Sequence, residues 1–454
     1  MNAADTPQGG NHVHTVKAET VVVGTGPGGA TIARELARAG EDVLVLEKGR
    51  DHQLPVGSIL AYATMYDIQR SREGVLIRRG ITTGGSTMIY SGNSYDPPAF
   101  LREELGIDLY AEVGETKEEL GIRPIPESYY RNWPGTARIV EAASGLGYAM
   151  EPQERFIDPG LCDPACDRCL FGCRRGAKWT ARDYLYEAMA LGARVMTRCD
   201  VRKVIRSGNA AAGVYARTPE GSLVVEAGRV ILAAGGLGTP LILQASGISS
   251  AGTNFFTDPM SVMVGLSSDG AGTWHEITYT FADESHVGEF VMGNVGAVNA
   301  FMAQIAALHL PYAWRVAQLR GLVGMFVKLC DEPSGRIEPD GTLHKTFTVK
   351  DEKTMAKGVE AAKAIMIRAG VIPSTISVAK GIGGHPGGTA AMGSVVDTNL
   401  MTDVENLYVC DNSVMPRSGG IPPVLTLIAL GKKFARSLIK KGNWTGKARK
   451  KRHD

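Results

Sequence analysis

Residues 19–49, ETVVVGTGPGGATIARELARAGEDVLVLEKG, constrain the fold more than any other stretch. A β-branched run enters a glycine cluster, a helical pattern follows with apolar residues at Ile32, Leu36 and Ala39, and Asp42 to Leu46 reads as a second strand. Gly24, Gly26 and Gly29 stand on the G-x-G-x-x-G spacing, Gly28 lies within it, and Glu47 closes the second strand 18 residues after the last glycine. The first glycine allows the tight turn, the second lets backbone approach a pyrophosphate, and the third packs helix on strand. The helix N-terminus adds free N–H groups and partial positive charge. Glu47 would accept a ribose hydroxyl. The competing reading is a glycine turn that serves packing alone. NAD and FAD both use this βαβ start, so the choice between them falls to the rest of the chain.

Other segments extend the same unit. Residues 80–88, GITTGGSTM, form a second glycine-rich loop, and DVRKVI around Val201 reads as a strand. Residues 229–248, RVILAAGGLGTPLILQASGI, give a buried strand, a glycine turn and a helix predicted to open near Thr239-Pro240, where proline suits the first helical position. NLYVCDNSVMPRSGGIPPVLTLIALGKKFARSLI gives a strand, a Pro/Gly loop and a long helix from about Pro423, with Leu427, Leu430, Phe434 and Leu438 on one face. One α/β, Rossmann-like nucleotide-binding domain is thus expected from discontinuous segments, 16–98, 156–255 and 381–440. A second, α+β domain is expected from 99–155 and 256–380, and a basic tail from 441–454. In the second domain, strand-like runs at 261–266, 288–292, 324–329 and 343–349 and an apolar helix near 299–310 predict an antiparallel sheet covered by helices, assigned to substrate recognition.

Hydrophobic residues at 44% and charged residues at 21% exclude intrinsic disorder, and a net charge of +2 is too balanced for a surface that must neutralise phosphates along nucleic acid. Residues 1–19 lack the apolar core of a signal peptide and read as a frayed tail. The most apolar run, Val230 to Leu243, is broken by three glycines, a threonine and a proline, so no transmembrane helix is expected. Seven cysteines without an export signal point to a reducing compartment, the cytoplasm by default. Residues 440–454 hold seven Lys/Arg against one acid. They read as a solvated disordered end, with docking to an anionic membrane surface or an acidic redox partner as the alternative.

Four of the seven cysteines, Cys162, Cys166, Cys169 and Cys173, fall within CDPACDRCLFGC, where an even spread would put about 0.2. Structural zinc usually pairs two knuckles across a longer loop, which this C-x3-C-x2-C-x3-C run does not. Iron–sulfur clusters use compact runs of this kind, although the bacterial ferredoxin spacing differs. Cys199, Cys330 and Cys410 stand singly in apolar contexts and read as small buried hydrophobes.

Taken in order, GTGPGG with Glu47, TTGGSTM, VILAAGGLGTPLIL with the following SGI, TNFFTDP, HPGGTAAMG and NLYVCDNSVMP resemble the glucose-methanol-choline family of FAD-dependent oxidoreductases, over residues 20–440. The resemblance implies FAD, with Gly84, Gly85, Ser86, Thr87, Met88, Val201, Asp411 and Pro423 joining the first loop in holding it. The attachment is expected to be non-covalent, since 78–98 contain no histidine. It also implies hydride transfer from an alcohol carbon to flavin N5, with His385 of HPGGTAAMG as the base. Relatives usually place a second His or Asn where this chain has Pro422, and often Asn where it has Tyr90. Tyr90, Asn93 and Pro422 are therefore the expected substrate contacts, and Tyr90 or Asn93 the group that completes the site. Some family dehydrogenases look similar in the cysteine segment, which implies a [4Fe–4S] or [3Fe–4S] cluster on the four cysteines. Other relatives keep a folded thiol knot or a disulfide there, and zinc is the third option. A cluster would pass electrons from an alcohol or carbonyl substrate's flavin to a quinone, cytochrome or iron–sulfur protein. The alternatives are a reductase of C=C or C=O bonds with electrons running inward, and a non-catalytic electron-transfer subunit.

Overall fold

The computed structural model describes residues 13–54, 56–306 and 317–450. Val13–Val23 pairs in parallel with Val43–Leu46 on one side and Gly221–Leu232 on the other, in the register Val21 to Leu44 and Val21 to Val230. Arg194–Met196 extends the sheet beyond Val43–Leu46, and Leu407–Val409 pairs in parallel with Val230, Ile231 and Leu232. The residues Thr20 to Val23 and Val43 to Leu46 are buried throughout, as parallel strands covered on both faces must be. The first half of Gly221–Leu232 instead turns into an antiparallel ribbon with Ala210–Thr218 and Asp200–Ser207. Helix Pro27–Arg38 packs against helices Ala181–Ala190 and Val424–Lys450.

The second sheet has eight strands in the order Tyr66–Arg70, Leu76–Gly80, Ser377–Gly383, Met260–Leu266, Leu322–Leu329, Phe290–Val295, Phe281–Asp283 and Glu151–Pro152. Only the pairing of Leu76–Gly80 with Ser377–Gly383 is parallel. Period-two alternation divides its side chains between two cores: Met263, Met292, Met325 and Val327 face helices Pro134–Ser144 and Val349–Arg368, while Val262, Val291 and Phe326 join Ala297 and Ala300 of helix Ala297–Ala306. The antiparallel sheet covered by helices is therefore present.

Several segments differ from the expectation. Val13 to Glu19 is not a frayed tail, because its backbone is laddered to residues 222–229; residues 1–12 lie outside the described residues. Strands Tyr66–Arg70 and Leu76–Gly80, expected in the first domain, belong to the second sheet. Conversely Phe100, Leu101, Ile107, Leu109, Val113 and Ile122, expected in the second domain, bury themselves in the core of the first sheet. The stretch 343–349 yields only Leu343–His344 as strand, since Thr348 and Asp351 form a capping box that starts helix Val349–Arg368. Of the helix expected at 299–310, the part beyond Ala306 lies outside the described residues. The basic end is not a free coil up to Lys450, for helix Val424–Lys450 runs through it; residues 451–454 lie outside the described residues.

The helix after the glycine turn opens at Gly235, so Pro240 sits inside it rather than at its first position. A proline there cannot donate to the carbonyl four residues back. That carbonyl, on Gly236, accepts the Thr389 hydroxyl instead, at 2.8 Å. Among the described residues no helix is long and apolar enough to cross a membrane.

Candidate active site

One cavity of about 710 Å³ runs from the first glycine loop to His385. At its first end the glycines divide the labour. A Cβ on Gly24, whose φ is +108°, would stand 2.2 Å from the Ala233 carbonyl oxygen; on Gly28, 2.1 Å from that of Cys410; on Gly29, 2.2 Å from that of Gly24. These three are glycine because backbone packs on backbone. A Cβ on Gly26 meets nothing within 4 Å, so that position is open on the cavity side, at the N-terminus of helix Pro27–Arg38, where no side chain caps the free N–H groups. This is the space into which a bound pyrophosphate would fit. Gly24, Gly26, Gly28 and Glu47 line the cavity, as do Gly85, Ser86 and Thr87, and farther on Val201, Asp411 and Pro423.

Gly29, Gly84 and Met88 are not on its wall. Gly29 is packed inside the turn, and Met88 is buried with Val56, Met65 and Phe171. Gly84 donates its N–H to Thr25 Oγ1 at 3.0 Å. Thr25, which the sequence reading passed over, ties the two glycine loops together, because the same hydroxyl donates to Glu47 Oε2 at 2.6 Å. Glu47 also accepts from the N–H groups of Thr25 and Gly49; burial pushes its carboxyl up and these bonds oppose the rise. Asp411 fastens the third loop by accepting from Gly235 N–H, the Thr239 hydroxyl and Ser413 N–H.

At the other end His385 is a quarter exposed, and its Nδ1 lies 2.9 Å from Asp258 Oδ2 and 2.9 Å from Lys328 Nζ. Lys328 and Asp258 are themselves directly paired. With Nδ1 taken, Nε2 is the nitrogen left to meet a ligand. Burial lowers the imidazole's affinity for a proton, Asp258 opposes that, and the charges of Lys328 and Arg78 reinforce it. Asp258 holds a φ of +36° in the left-handed region, kept there by Asp331, whose carboxylate accepts the N–H groups of Thr257 and Asp258 and pairs with Lys345 at 2.7 Å. Neither Asp258 nor Lys328 was picked out from the sequence. The available signals were a lysine inside the apolar strand LVGMFVKL and an acid inside TNFFTDP.

The expected substrate contacts reach the cavity, but their polar atoms are engaged elsewhere. The Tyr90 hydroxyl donates to the Trp179 carbonyl at 2.9 Å. Asn93 donates to the Tyr279 carbonyl and accepts from the Ser91 hydroxyl, both at 2.7 Å. Pro422 has no N–H to give. Arg78, Tyr66 and Tyr279 line the cavity beside them.

The cysteine segment does not bear out the expected cluster. All seven cysteines are free thiols, and among the described residues no group of three or more His, Cys, Asp or Glu side chains is placed to hold a metal ion. Cys162 and Cys169 pack against the apolar cluster of Ile125, Trp133 and Ile277. Burial pushes the Cys162 thiol up to about 12 and raises Cys166 and Cys169, with the neighbouring cysteines adding to the rise. The arrangement thus gives no support to the expected iron–sulfur cluster or to zinc, and no disulfide is formed among the four cysteines. Cys199 and Cys410 are buried as expected, while Cys330 is only half-buried, its thiol donating to the Ser418 carbonyl at 3.3 Å.

Comparisons with known proteins show the family and the fold. The family model described as GMC oxidoreductase matches residues 18–260, and its C-terminal counterpart matches 327–431. An uncharacterized GMC-type oxidoreductase of Mycobacterium tuberculosis is 28% identical, covering 97% of this chain and 77% of its own. The long-chain-alcohol oxidase FAO4B of Arabidopsis thaliana is 22% identical, covering 92% and 67%. Among solved structures, pyridoxine 4-oxidase from Mesorbium loti superimposes with a TM-score of 0.70 at 18% identity, covering 92% of this chain and 99% of that one. Formate oxidase of Aspergillus oryzae does so at 0.69 and 16%, covering 95% and 99%.

Proposed function

The chain belongs to the GMC oxidoreductase family, flavoproteins acting on CH–OH donors, and from that premise we propose that it oxidises a small-molecule alcohol with His385 as the general base. FAD, held along Gly24 to Gly28, Glu47, Gly85 to Thr87 and the start of helix Val424–Lys450, supplies the hydride acceptor when bound. The observation that carries the reading is the single cavity that joins the Gly26 cradle to His385.

Asp258 accepts the Nδ1 proton and fixes the ring, so that the Nε2 lone pair is presented to the substrate hydroxyl. Taking that proton makes His385 a cation. Asp258 stabilises it and Lys328 opposes it, a balance that keeps the base neutral before reaction and ready to release the proton afterwards. The buried walls hold the carbon to be oxidised away from water.

The names of the oxidase relatives support dioxygen as the electron acceptor, giving one carbonyl product and one hydrogen peroxide per alcohol. The test is anaerobic flavin reduction by a panel of alcohols in wild type and His385→Gln, with flavin content measured in both. The variant should keep its flavin and lose reduction rate by roughly 10²- to 10⁴-fold; equal rates would refute the assignment. Iron and acid-labile sulfide, assayed on anaerobically purified protein, should be absent.

A further inference from the structure

At the catalytic end of the cavity one charge is left over. Asp258 is paired with Lys328, Asp331 behind it is paired with Lys345, and burial favours neutral His385. Arg78, on strand Leu76–Gly80, lines the same cavity and has no ion pair with an Asp or Glu among the described residues. Residues 307–316 contain neither acid, so they cannot supply one. The groups that act on the guanidinium electrostatically are phenolic, Tyr279 first and then Tyr66 and Tyr62, and Tyr279 and Tyr66 line the same cavity. Asp167, the acid that acts on Tyr279 electrostatically, is buried, accepts from Asn299 Nδ2 at 2.7 Å and forms no ion pair with Arg78; burial raises its carboxyl.

The neighbouring arginine shows that this is not a general property of the strand. Arg79 is paired with Asp67 at 2.7 Å, and its charge acts on Glu47, at the nucleotide end. The charge of Arg78 acts on His385, at the catalytic end. Ile77 pairs with Gly383, two residues before His385, which sets the neighbouring Arg78 at the catalytic end of the cavity. A cation withdrawn from bulk water without a counter-charge is destabilising until an anion completes it, and the guanidinium fork matches a carboxylate with two parallel N–H···O bonds. One uncompensated positive charge is neutralised by a monoanion, whereas a phosphate monoester would leave an excess negative charge beside Asp258. Met260, Val291 and Phe326 line the same end, so the carbon skeleton between the two polar groups meets apolar wall.

We propose that Arg78, assisted by the Tyr279 hydroxyl, is the anion-binding group of the substrate pocket, and that the substrate is a hydroxy-carboxylate whose alcohol carbon lies at His385. This rests on the alcohol-oxidising reading above. The reaction it implies is oxidation of the carbinol to a carbonyl while the carboxylate passes through unchanged.

The test compares the flavin-loaded wild type with Arg78→Gln and Arg78→Lys on hydroxy-carboxylates of graded chain length and on the corresponding primary amides. Wild type should prefer the acid to its amide by at least 30-fold in kcat/KM. Arg78→Gln should lose that preference, kcat/KM for the acid falling at least tenfold further than for the amide, and Arg78→Lys should recover part of it. A second readout needs no turnover: saturated carboxylates without a hydroxyl, titrated against the flavin absorbance, should perturb it in wild type and in His385→Gln but not in Arg78→Gln. If carboxylates bind in this way and no alcohol is oxidised, the anion site stands and the alcohol reading falls. If alcohols are oxidised with acids and amides alike, or phosphate esters surpass carboxylates, the anion site as proposed is overturned. Equal losses on acid and amide with an altered flavin spectrum in Arg78→Gln would make Arg78 a flavin contact, which also overturns it.

Discussion

Lys328 stands in a strand whose eight residues are all buried, where an ammonium group is costly unless it is held by something. Asp258 pairs with it, and burial still leaves its affinity for a proton below the usual lysine value. The three groups therefore share protons over one small region, and each tunes the others. His385 works as a base only when neutral, and its folded pKa lies below the ordinary value of about 6.5. In wild type, flavin reduction should accordingly rise with pH through a midpoint under about 6.5 and stay level above it. Lys328→Met removes a charge that disfavours the imidazolium, so the midpoint should move to higher pH. Asp258→Asn removes the charge that favours it, so the midpoint should move to lower pH, with a loss of roughly 10- to 10³-fold in the plateau rate as the ring loses its orienting partner. Stopped-flow reduction across pH 5 to 9 measures both. A midpoint unmoved in Lys328→Met would show that the lysine does not act on the base.

Helix Tyr110–Glu119 shows how the elements are locked together by charges the sequence keeps far apart. Arg34 of helix Pro27–Arg38 and Lys432 of helix Val424–Lys450 are fully buried, and both are paired with Glu119. Burial alone would raise the Glu119 carboxyl, but hydrogen bonds from Arg34 and Lys432 outweigh it and hold the group at about 2. A carboxyl depressed in the folded state contributes stability above its unfolded value of about 4.3, and that contribution is lost as pH falls toward the folded value. Glu119→Gln should therefore cost roughly 2 to 3 kcal/mol at neutral pH, less than a wholly buried pair because the carboxylate is partly exposed. The gap between variant and wild type should close between about pH 4.5 and 2. Urea unfolding at several pH values checks this, and a gap independent of pH would contradict it. No spacing rule links residues 34, 119 and 432, so this lock was not legible in advance. What was legible were elements whose evidence is local: the βαβ start, the antiparallel strands with their alternation, and the final helix from Val424. The proline rule failed at Pro240 because the remedy, the Thr389 hydroxyl, comes from 149 positions later in the chain.

Across the whole molecule the same contrast recurs. His385 was singled out by the resemblance of HPGGTAAMG to the family's motif, and the first loop because three glycines and one acid keep a fixed spacing. Asp258, Lys328 and Arg78 were not, since the pairing of Leu76–Gly80 with Ser377–Gly383 and of Met260–Leu266 with Leu322–Leu329 is what brings them to one wall. The cavity wall is thus made by both sheets, and a ligand that fills it must stabilise both together. Binding confined to the folded state adds RT ln(1 + [L]/Kd), about 4 kcal/mol at a thousandfold excess over Kd. Gly26 and Gly28 separate this linkage from packing. A methyl group at Gly26 enters open cavity space, so Gly26→Ala should leave the flavin-free protein as stable as flavin-free wild type, weaken FAD binding by at least tenfold, and gain correspondingly less on adding FAD. A methyl group at Gly28 would overlap the Cys410 carbonyl, so Gly28→Ala should be destabilised before any flavin is added. Thermal unfolding of the flavin-free and flavin-loaded forms, followed by far-UV circular dichroism, distinguishes the two. If Gly26→Ala is itself destabilised without flavin, the open space beside Gly26 is not the cradle; if it binds FAD as tightly as wild type, the pyrophosphate lies elsewhere along the cavity.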